Sequence, residues 1–364
     1  MKLIKKITAV LLVCIMAFSL TACHPKDEIA VTINGCEFTS AYYMCAFINA
    51  YLEGQQEVID NLSEDETYDD INYSKQKIDG KKFEDWVKET AIETLKKVAN
   101  YKTLCDKNGV KMTEEDKSAN EYYASMYWSS YGYADIFEPN GVSLSTFTDY
   151  MNDDYYSTLY FEHLYGEGGD EEIPAKTVKS KLYKDFIIAD ILEYNHASDA
   201  EADDLKKNIK QFKEYADDIK AGKRTFEEVY NEFNDIKETE EEADEEDHED
   251  HDHAEPKDAL ASVIGAEGTG YEHDYYSDIK KMEIGEIKVI EMKEDAGCIL
   301  VIKQDIEADD YYLEEMDMTI RHLLKDNEYT EKMEEAAKKL EPKINKYAVN
   351  QFKVKKIVEP DYGY

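Results

Sequence analysis

The sequence predicts an α+β protein in which a mostly helical module, formed by N- and C-terminal segments, is interrupted by a small α/β module. Three observations support this. From position 41 to about 183, apolar residues recur at helical spacing between cap and stop signals. The pattern then changes to short β-branched runs, Phe186 to Tyr194, Ile287 to Met292 and Cys298 to Ile302. From Asp309 to Leu340 helical spacing returns and is expected to form one long helix.

Each element has a local reason. Ile29 to Ile33 alternates and is β-branched, Asn34-Gly35 is a tight-turn dipeptide, and Cys36-Glu37-Phe38 completes a hairpin. Thr39 or Ser40 caps a helix that uses Tyr42, Tyr43, Cys45, Ala46, Ile48 and Tyr51. Gln55 to Lys81 is polar and is expected to be a loop. A second helix runs from Phe83 to Asp106 and stops at Asn108-Gly109, and a third starts at Thr113-Glu114-Glu115 and ends near Tyr131. Another follows Gly141 to Ser145 as far as Tyr165. Gly166 to Asp170 breaks the pattern, and Pro174 opens a helix to Tyr183. Ala202 to Ile219, Thr225 to Phe233 and Ile279 to Met282 are read as helices, with Gly285 ending the last. Gln351 to Ile357 is read as a final strand.

The N-terminus carries Lys2, Lys5 and Lys6, then an uncharged apolar run from Ile7 to Leu20, of signal-peptide length and short for a membrane span. It ends in Leu20-Thr21-Ala22-Cys23, which resembles the lipobox of bacterial lipoproteins. That resemblance implies cleavage before Cys23, acylation of its thiol, and an extracytoplasmic protein held on the outer face of the bacterial cytoplasmic membrane. Two or three acyl chains anchor stably, because each buried CH₂ contributes about 0.8 kcal/mol. The expected segments are therefore 1–22 as signal, 23–28 as tether, 29–183 as the first helical segment, 184–308 as the α/β module with an acidic insert at 236–258, and 309–364 as returning helix and strand.

Charge narrows the partners. The chain has 82 acidic and 43 basic residues, a net charge of −39. Nucleic acid is excluded as a partner, since a phosphate backbone needs Lys and Arg to replace its counterions. Cys36, Cys45, Cys105 and Cys298 show no metal-ligand spacing, and pairing or burial as thiols both stay open.

The order of elements resembles PrsA-like extracytoplasmic foldases and SurA-like periplasmic chaperones. The residues that carry this are the opening strand-turn Ile29 to Phe38, the helix Trp86 to Val110 ending Leu104-Cys105-Asp106-Lys107-Asn108-Gly109-Val110, then Thr113-Glu114-Glu115 and Asn140-Gly141-Val142-Ser143-Leu144. The resemblance implies a SurA-like chaperone domain bracketing a parvulin-type prolyl isomerase domain. For that domain, Ala189-Asp190-Ile191-Leu192 stands at the "His-Ile-Leu" strand, Phe226 to Phe233 at the "Phe-Ala-Glu-Leu-Ala" helix, and Gly297-Cys298-Ile299-Leu300 at the "Gly-Tyr-His-Ile" strand. Both active-site histidines of the family are thus replaced, the first by Asp190 and the second at or beside Cys298. Asp190 and Cys298, on adjacent strands, could still face each other. The resemblance implies a holdase or foldase for unfolded, newly secreted polypeptides with an inactive parvulin domain. An active peptidyl-prolyl cis–trans isomerase is one alternative, and a metal- or solute-binding lipoprotein is another.

Tyrosine is heavily used, with 29 residues. Tyr122, Tyr123, Met126, Tyr127 and Trp128 lie in one run, and such side chains offer apolar area with adaptable polar tips to an unfolded client. Core packing is the competing use. His248, His251 and His253 lie in the acidic stretch Glu238 to Glu255, where imidazoles among carboxylates could hold a divalent metal weakly. No cofactor is expected to be required, and homodimerisation stays open. The chain has no Gly-x-Ser-x-Gly, His-Glu-x-x-His or phosphate-binding glycine loop.

Overall fold

The computed structural model describes residues 27–62, 71–196, 202–234, 260–293 and 296–360. Cys23, the signal segment and the insert bearing His248, His251 and His253 lie outside the described residues. The chain divides into two compact units, one of residues 1–165 with 327–364, the other of residues 166–326. The second unit thus begins earlier than position 184, taking in the helix after Pro174, and ends later than 308. No described helix is long and apolar enough to cross a membrane.

The first unit opens with strands β1 (Ile29–Ile33) and β2 (Cys36–Thr39), paired antiparallel. Asn34 and Gly35 both have positive φ, 49° and 89°, as the two-residue turn between twisted strands requires. The Thr39 hydroxyl accepts from the Tyr42 N–H at 3.2 Å and starts α1 (Ser40–Asp60). The helix therefore continues six residues into the segment expected to be loop. Its polar count conceals a buried stripe, Tyr51, Gly54 and Val58, at helical spacing. A Cβ on Gly54 would lie 3.0 Å from the Phe83 and Trp86 rings, so glycine allows the next helix to approach. Two short strands, β3 (Lys77–Ile78) and β4 (Lys81–Lys82), also fall in that segment.

Helix α2 (Phe83–Asn108) ends at Gly109, whose φ of 73° gives the left-handed cap expected there. Helices α3 (Glu114–Ser130), α4 (Tyr133–Phe137) and α5 (Leu144–Tyr165) complete the N-terminal part. Three helices meet at Asp153 on α5, which accepts from Tyr42 Oη of α1 at 3.0 Å and Lys102 Nζ of α2 at 2.6 Å.

The second unit starts with α6 (Ala175–Asp185), then β5 (Phe186–Asn195), α7 (Ala202–Lys220), α8 (Phe226–Phe233) and β6 (Ala261–Gly265). Next come α9 (Tyr276–Lys280), β7 (Ile287–Glu291) and β8 (Gly297–Lys303). The four strands form an antiparallel sheet in the order β6-β5-β8-β7. Strand β6 was not expected, because five residues beside a low-complexity acidic run carry little periodicity. Helix α9 sits one turn earlier than Ile279 to Met282, since Tyr275, Ile279 and Met282 together form its buried stripe. On one sheet face Phe212, Tyr215, Phe226 and Val229 of α7 and α8 cover Leu192, Cys298 and Leu300. On the other, Tyr275, Ile279 and Met282 cover Ile187, Ala189, Ile264, Ile299 and Val301. Covered on both faces, β5 reads as a nearly continuous apolar run.

The expected single helix from Asp309 is two, α10 (Tyr311–Glu315) and α11 (Asp317–Lys338). At Met316 the N–H bonds back to the Tyr312 carbonyl while φ and ψ, −92° and −1°, leave helical values. The chain then re-enters the first unit, where the Tyr329 ring packs edge-on to Phe161 and its hydroxyl donates to the Ser157 carbonyl at 2.7 Å. Strand β9 (Lys343–Ile344) pairs with the free edge of β1, and α12 (Lys346–Val349) follows. Residues 351–357, expected to be a strand, hold instead a 3₁₀ turn at Val354–Lys356. There Phe352 is anchored against Tyr43, with ring centroids 5.2 Å apart, and not to a sheet edge.

Candidate functional site

In the first unit, the surface built by α3, α4, the end of α1 and the C-terminal segment forms an open cleft. Helix α3 starts with a capping box: the Asp116 N–H donates to the Thr113 hydroxyl at 3.1 Å, and the Thr113 N–H to Asp116 at 2.7 Å. The Thr113 hydroxyl, which also donates to the Asp116 carboxylate at 2.7 Å, and then the Thr113 N–H hold that carboxyl below its ordinary value. Ala124 is buried on the inner face of α3, so the tyrosine run divides by side. Tyr122 and Tyr123 are exposed, the former 66%, while Met126, Tyr127 and Trp128 are half-buried. Trp128 packs on Phe147 at 5.6 Å and Phe137 at 6.4 Å, so this residue supports the cleft from below.

Gly132, at φ 75°, turns the chain between α3 and α4. The turn sets Tyr131 and Tyr133 either side of Tyr127, with ring centroids 5.3 and 5.7 Å away. Tyr133 stacks on the fully buried Phe137 at 5.8 Å and 9°. Tyr131 is 64% exposed. Together with Leu52, Gln55, Gly132, Ile136, Glu359 and Pro360, these two tyrosines line a cleft of about 390 Å³.

The far wall comes from the C-terminal segment, which Asn140 holds in place. Its amide nitrogen donates to the carbonyls of Ile136 at 2.6 Å and Val358 at 2.8 Å, and its oxygen accepts from the Val358 N–H at 2.9 Å. Glu359 then reaches α1, where Tyr51 Oη and Gln55 Nε2 donate to its carboxylate. Burial and that hydrogen bond push the Tyr51 phenol well above its ordinary value. Among the described residues, no Lys or Arg forms an ion pair with Glu359.

Sequence reasoning picked out the run ending at Trp128 and missed Tyr131, Tyr133, Leu52 and Glu359. The Tyr131-Gly132-Tyr133 triplet was the available signal, because a glycine just past a helix that flips the chain presents its neighbours outward. Nothing local marks Leu52 or Glu359, which meet the triplet only through the fold.

In the second unit, Asp190 and Cys298 share a sheet face but are not brought together. Asp190 pairs with Ile302 and Cys298 with Tyr194, four residues along β8, or about 13 Å at strand spacing. Gln304 Nε2 donates to Asp190 Oδ2 at 2.6 Å, which ties a buried carboxylate to the end of β8. Cys298 is fully buried, and burial pushes its thiol up to about 11, with Glu291 adding to the rise. No histidine lies on any of the four described strands. On the opposite face, Tyr275 Oη donates to Glu193 at 3.1 Å beside a stacked His273 ring.

The four described cysteines are all unpaired thiols. A thiol held near 11 has roughly a thousandth of its population as thiolate at pH 8. Cys298 is therefore expected to react with a disulfide reagent at pH 8 far more slowly in the folded protein than in denaturant, with the half-buried Cys36 reacting before it. Because the folded state keeps this proton longer than the unfolded chain does, stability should fall as pH rises from about 9 towards 11. Equal reaction rates in folded and unfolded protein would contradict this burial. Among the described residues, no group of three or more His, Cys, Asp or Glu side chains is placed to hold a metal ion.

No family model matches the chain, and no curated protein matches it by sequence. Among solved structures it is similar to the foldase protein PrsA from Lactococcus lactis, 12% identical with a TM-score of 0.41, over 88% of this chain and 96% of that one. It is similar to the foldase protein PrsA from Streptococcus pneumoniae, 11% identical with a TM-score of 0.38, over 76% and 97%. PrsA from Bacillus subtilis is 13% identical with a TM-score of 0.31, over 69% and 84%. Similarity at 11–13% identity, with TM-scores below 0.5, assigns no activity and no residue role.

Proposed function

We propose that the protein is a membrane-tethered extracytoplasmic folding factor that holds unfolded, newly exported polypeptide at the tyrosine-lined cleft of its first unit. The observation that carries this is a pair of exposed aromatic rings at an open cleft, Tyr133 stacked on the buried Phe137 and Tyr131 packed against the half-buried Tyr127. Exposed aromatic area on a rigid support offers apolar contact at low entropic cost and suits partners without fixed structure. Tyr122 and Tyr123, exposed earlier on α3, lie outside the cleft lining and offer further aromatic surface on the same helix. A net charge of −39 keeps the loaded protein from self-association. The lipid tether at Cys23 rests on the lipobox resemblance and would station the body where exported chains emerge.

The sheet unit serves in this reading as a scaffold. Isomerisation must lower an amide barrier of about 18–20 kcal/mol. With no histidine on its four strands, and with Asp190 and Cys298 four residues apart, the sheet lacks the paired-histidine core that the parvulin resemblance implies for that task. Proline-limited refolding should accordingly run at its background rate.

The test is aggregation of a denatured client diluted into buffer with the chain from Cys23 onward. Suppression at near-equimolar ratio is expected, and the double variant Tyr131→Ser/Tyr133→Ser should lose most of it at a temperature well below its own unfolding midpoint, which falls because Tyr133 packs on Phe137. No suppression by the unaltered protein at stoichiometric excess would sink the reading.

A further inference from the structure

We propose that the cleft of the first unit selects a cationic side chain, arginine before lysine, presented by an extended segment of the client. The inference rests on the folding-factor reading above and names what that site takes. Its basis is one carboxylate, without a cationic partner among the described residues, in a lining that is otherwise uncharged and mostly aromatic and apolar. Leu52, Tyr131, Tyr133, Ile136 and Pro360 supply apolar surface, and Glu359 supplies a carboxylate at the rim.

The carboxylate is oriented by neutral donors. Tyr51 Oη and Gln55 Nε2 both donate to it, which fixes its direction without cancelling its charge. Among the described residues no cation pairs with Glu359, and Lys353, six residues before it in the chain, is engaged 3.0 Å from Glu84. The Tyr51 phenol keeps its proton, held up first by burial and then by this hydrogen bond, and so remains a donor.

A guanidinium fits both features. Its planar face stacks on an exposed tyrosine ring, and its N–H edge meets a carboxylate in two parallel hydrogen bonds. Tyr131 and Tyr133 both line the cleft and each packs against Tyr127, with ring centroids 5.3 and 5.7 Å from it, so the rings are held in place for a side chain laid on their open surface. An ammonium reaches the same carboxylate but stacks less well, and an acidic side chain meets repulsion from Glu359 and from the overall charge of −39. The volume of about 390 Å³ accommodates one long side chain and part of its neighbour. Recognition is therefore of short cationic-apolar segments.

The experiment uses the full chain in phosphatidylcholine nanodiscs, with empty discs subtracted. Fluorescence polarisation compares three labelled seven-residue peptides with Arg, Gln or Glu at the centre of one apolar sequence. The Arg peptide is expected to bind about tenfold tighter than the Gln peptide, and the Glu peptide weakest. In Glu359→Gln, which keeps an acceptor for Tyr51 and Gln55, the Arg-to-Gln ratio should fall by about threefold or more with an unchanged unfolding midpoint, ring stacking and net charge retaining the remainder. Equal affinities for Arg and Gln peptides in the unaltered protein overturn the selectivity and leave the folding-factor reading standing. Selectivity undiminished in Glu359→Gln overturns the assignment to this cleft. No binding of any peptide, together with no suppression of aggregation, removes both.

Discussion

Replacing Phe137 by alanine is expected to cost the first unit about 3–5 kcal/mol and to abolish the proposed client binding well below the unfolding midpoint. Phe137 is fully buried, with Trp128, Tyr133 and Phe147 around it at centroid distances of 6.4, 5.8 and 5.2 Å. Removing the ring leaves a cavity that large, rigid neighbours close only in part, so the loss combines lost transfer energy with a cavity term. Tyr133 loses the surface it is stacked on and no longer holds its place at the cleft. Phe137→Leu should cost less than half as much while still disturbing Tyr133. Urea unfolding with parallel peptide-binding curves checks both effects, and a loss under about 1 kcal/mol would contradict the packing described.

In the second unit, Arg321→Ala is expected to cost about 2–4 kcal/mol. Arg321 is 3% exposed. Its Nε and Nη2 donate to the two Asp317 oxygens at 2.6 and 3.1 Å, and Nη1 donates to the Ile173 carbonyl at 2.8 Å. This fork ties the first turn of α11 to the loop before α6. Asp317 retains some solvent contact, so the stranded carboxylate hydrates and the cost stays below that of a fully buried pair. Arg321→Lys keeps the charge but loses the two-pronged geometry, and should recover less than half of the loss. Calorimetric unfolding decides it, since a near-neutral Arg321→Ala would mean that the fork contributes nothing to closing the unit.

Local chemistry made much of the fold legible. Caps such as Thr39, Thr113 and Thr225, the Asn34-Gly35 turn and the stop at Gly109 act within four residues, and each lies where its chemistry predicts. The misread parts depend on partners far along the chain. Helix α1 extends through Gln55 to Asp60 because Gly54 lies under Phe83 and Trp86. Strand β6 exists because β5 offers it an edge, from Phe186 opposite Gly265 to Asp190 opposite Ala261. The cleft shows the same division. The tyrosine run was visible as composition, whereas the wall of Glu359 and Pro360 exists only because Asn140 grips a segment 218 residues downstream.

That grip has a consequence for how the molecule is made. A chain released N-terminus first presents β1, α1 and α2 early, yet the strand that pairs with β1, the Phe352 ring that covers Tyr43 and Phe47, and the clamp at Asn140 all arrive in residues 343–360. The second unit, continuous from 166 to 326, has its whole sequence in hand sooner. The order of completion is therefore inverted relative to the usual progression from the N-terminus. The cleft of the first unit is among the last features to form, so an unfinished chain exposes the core beside β1 before the wall of Glu359 and Pro360 exists.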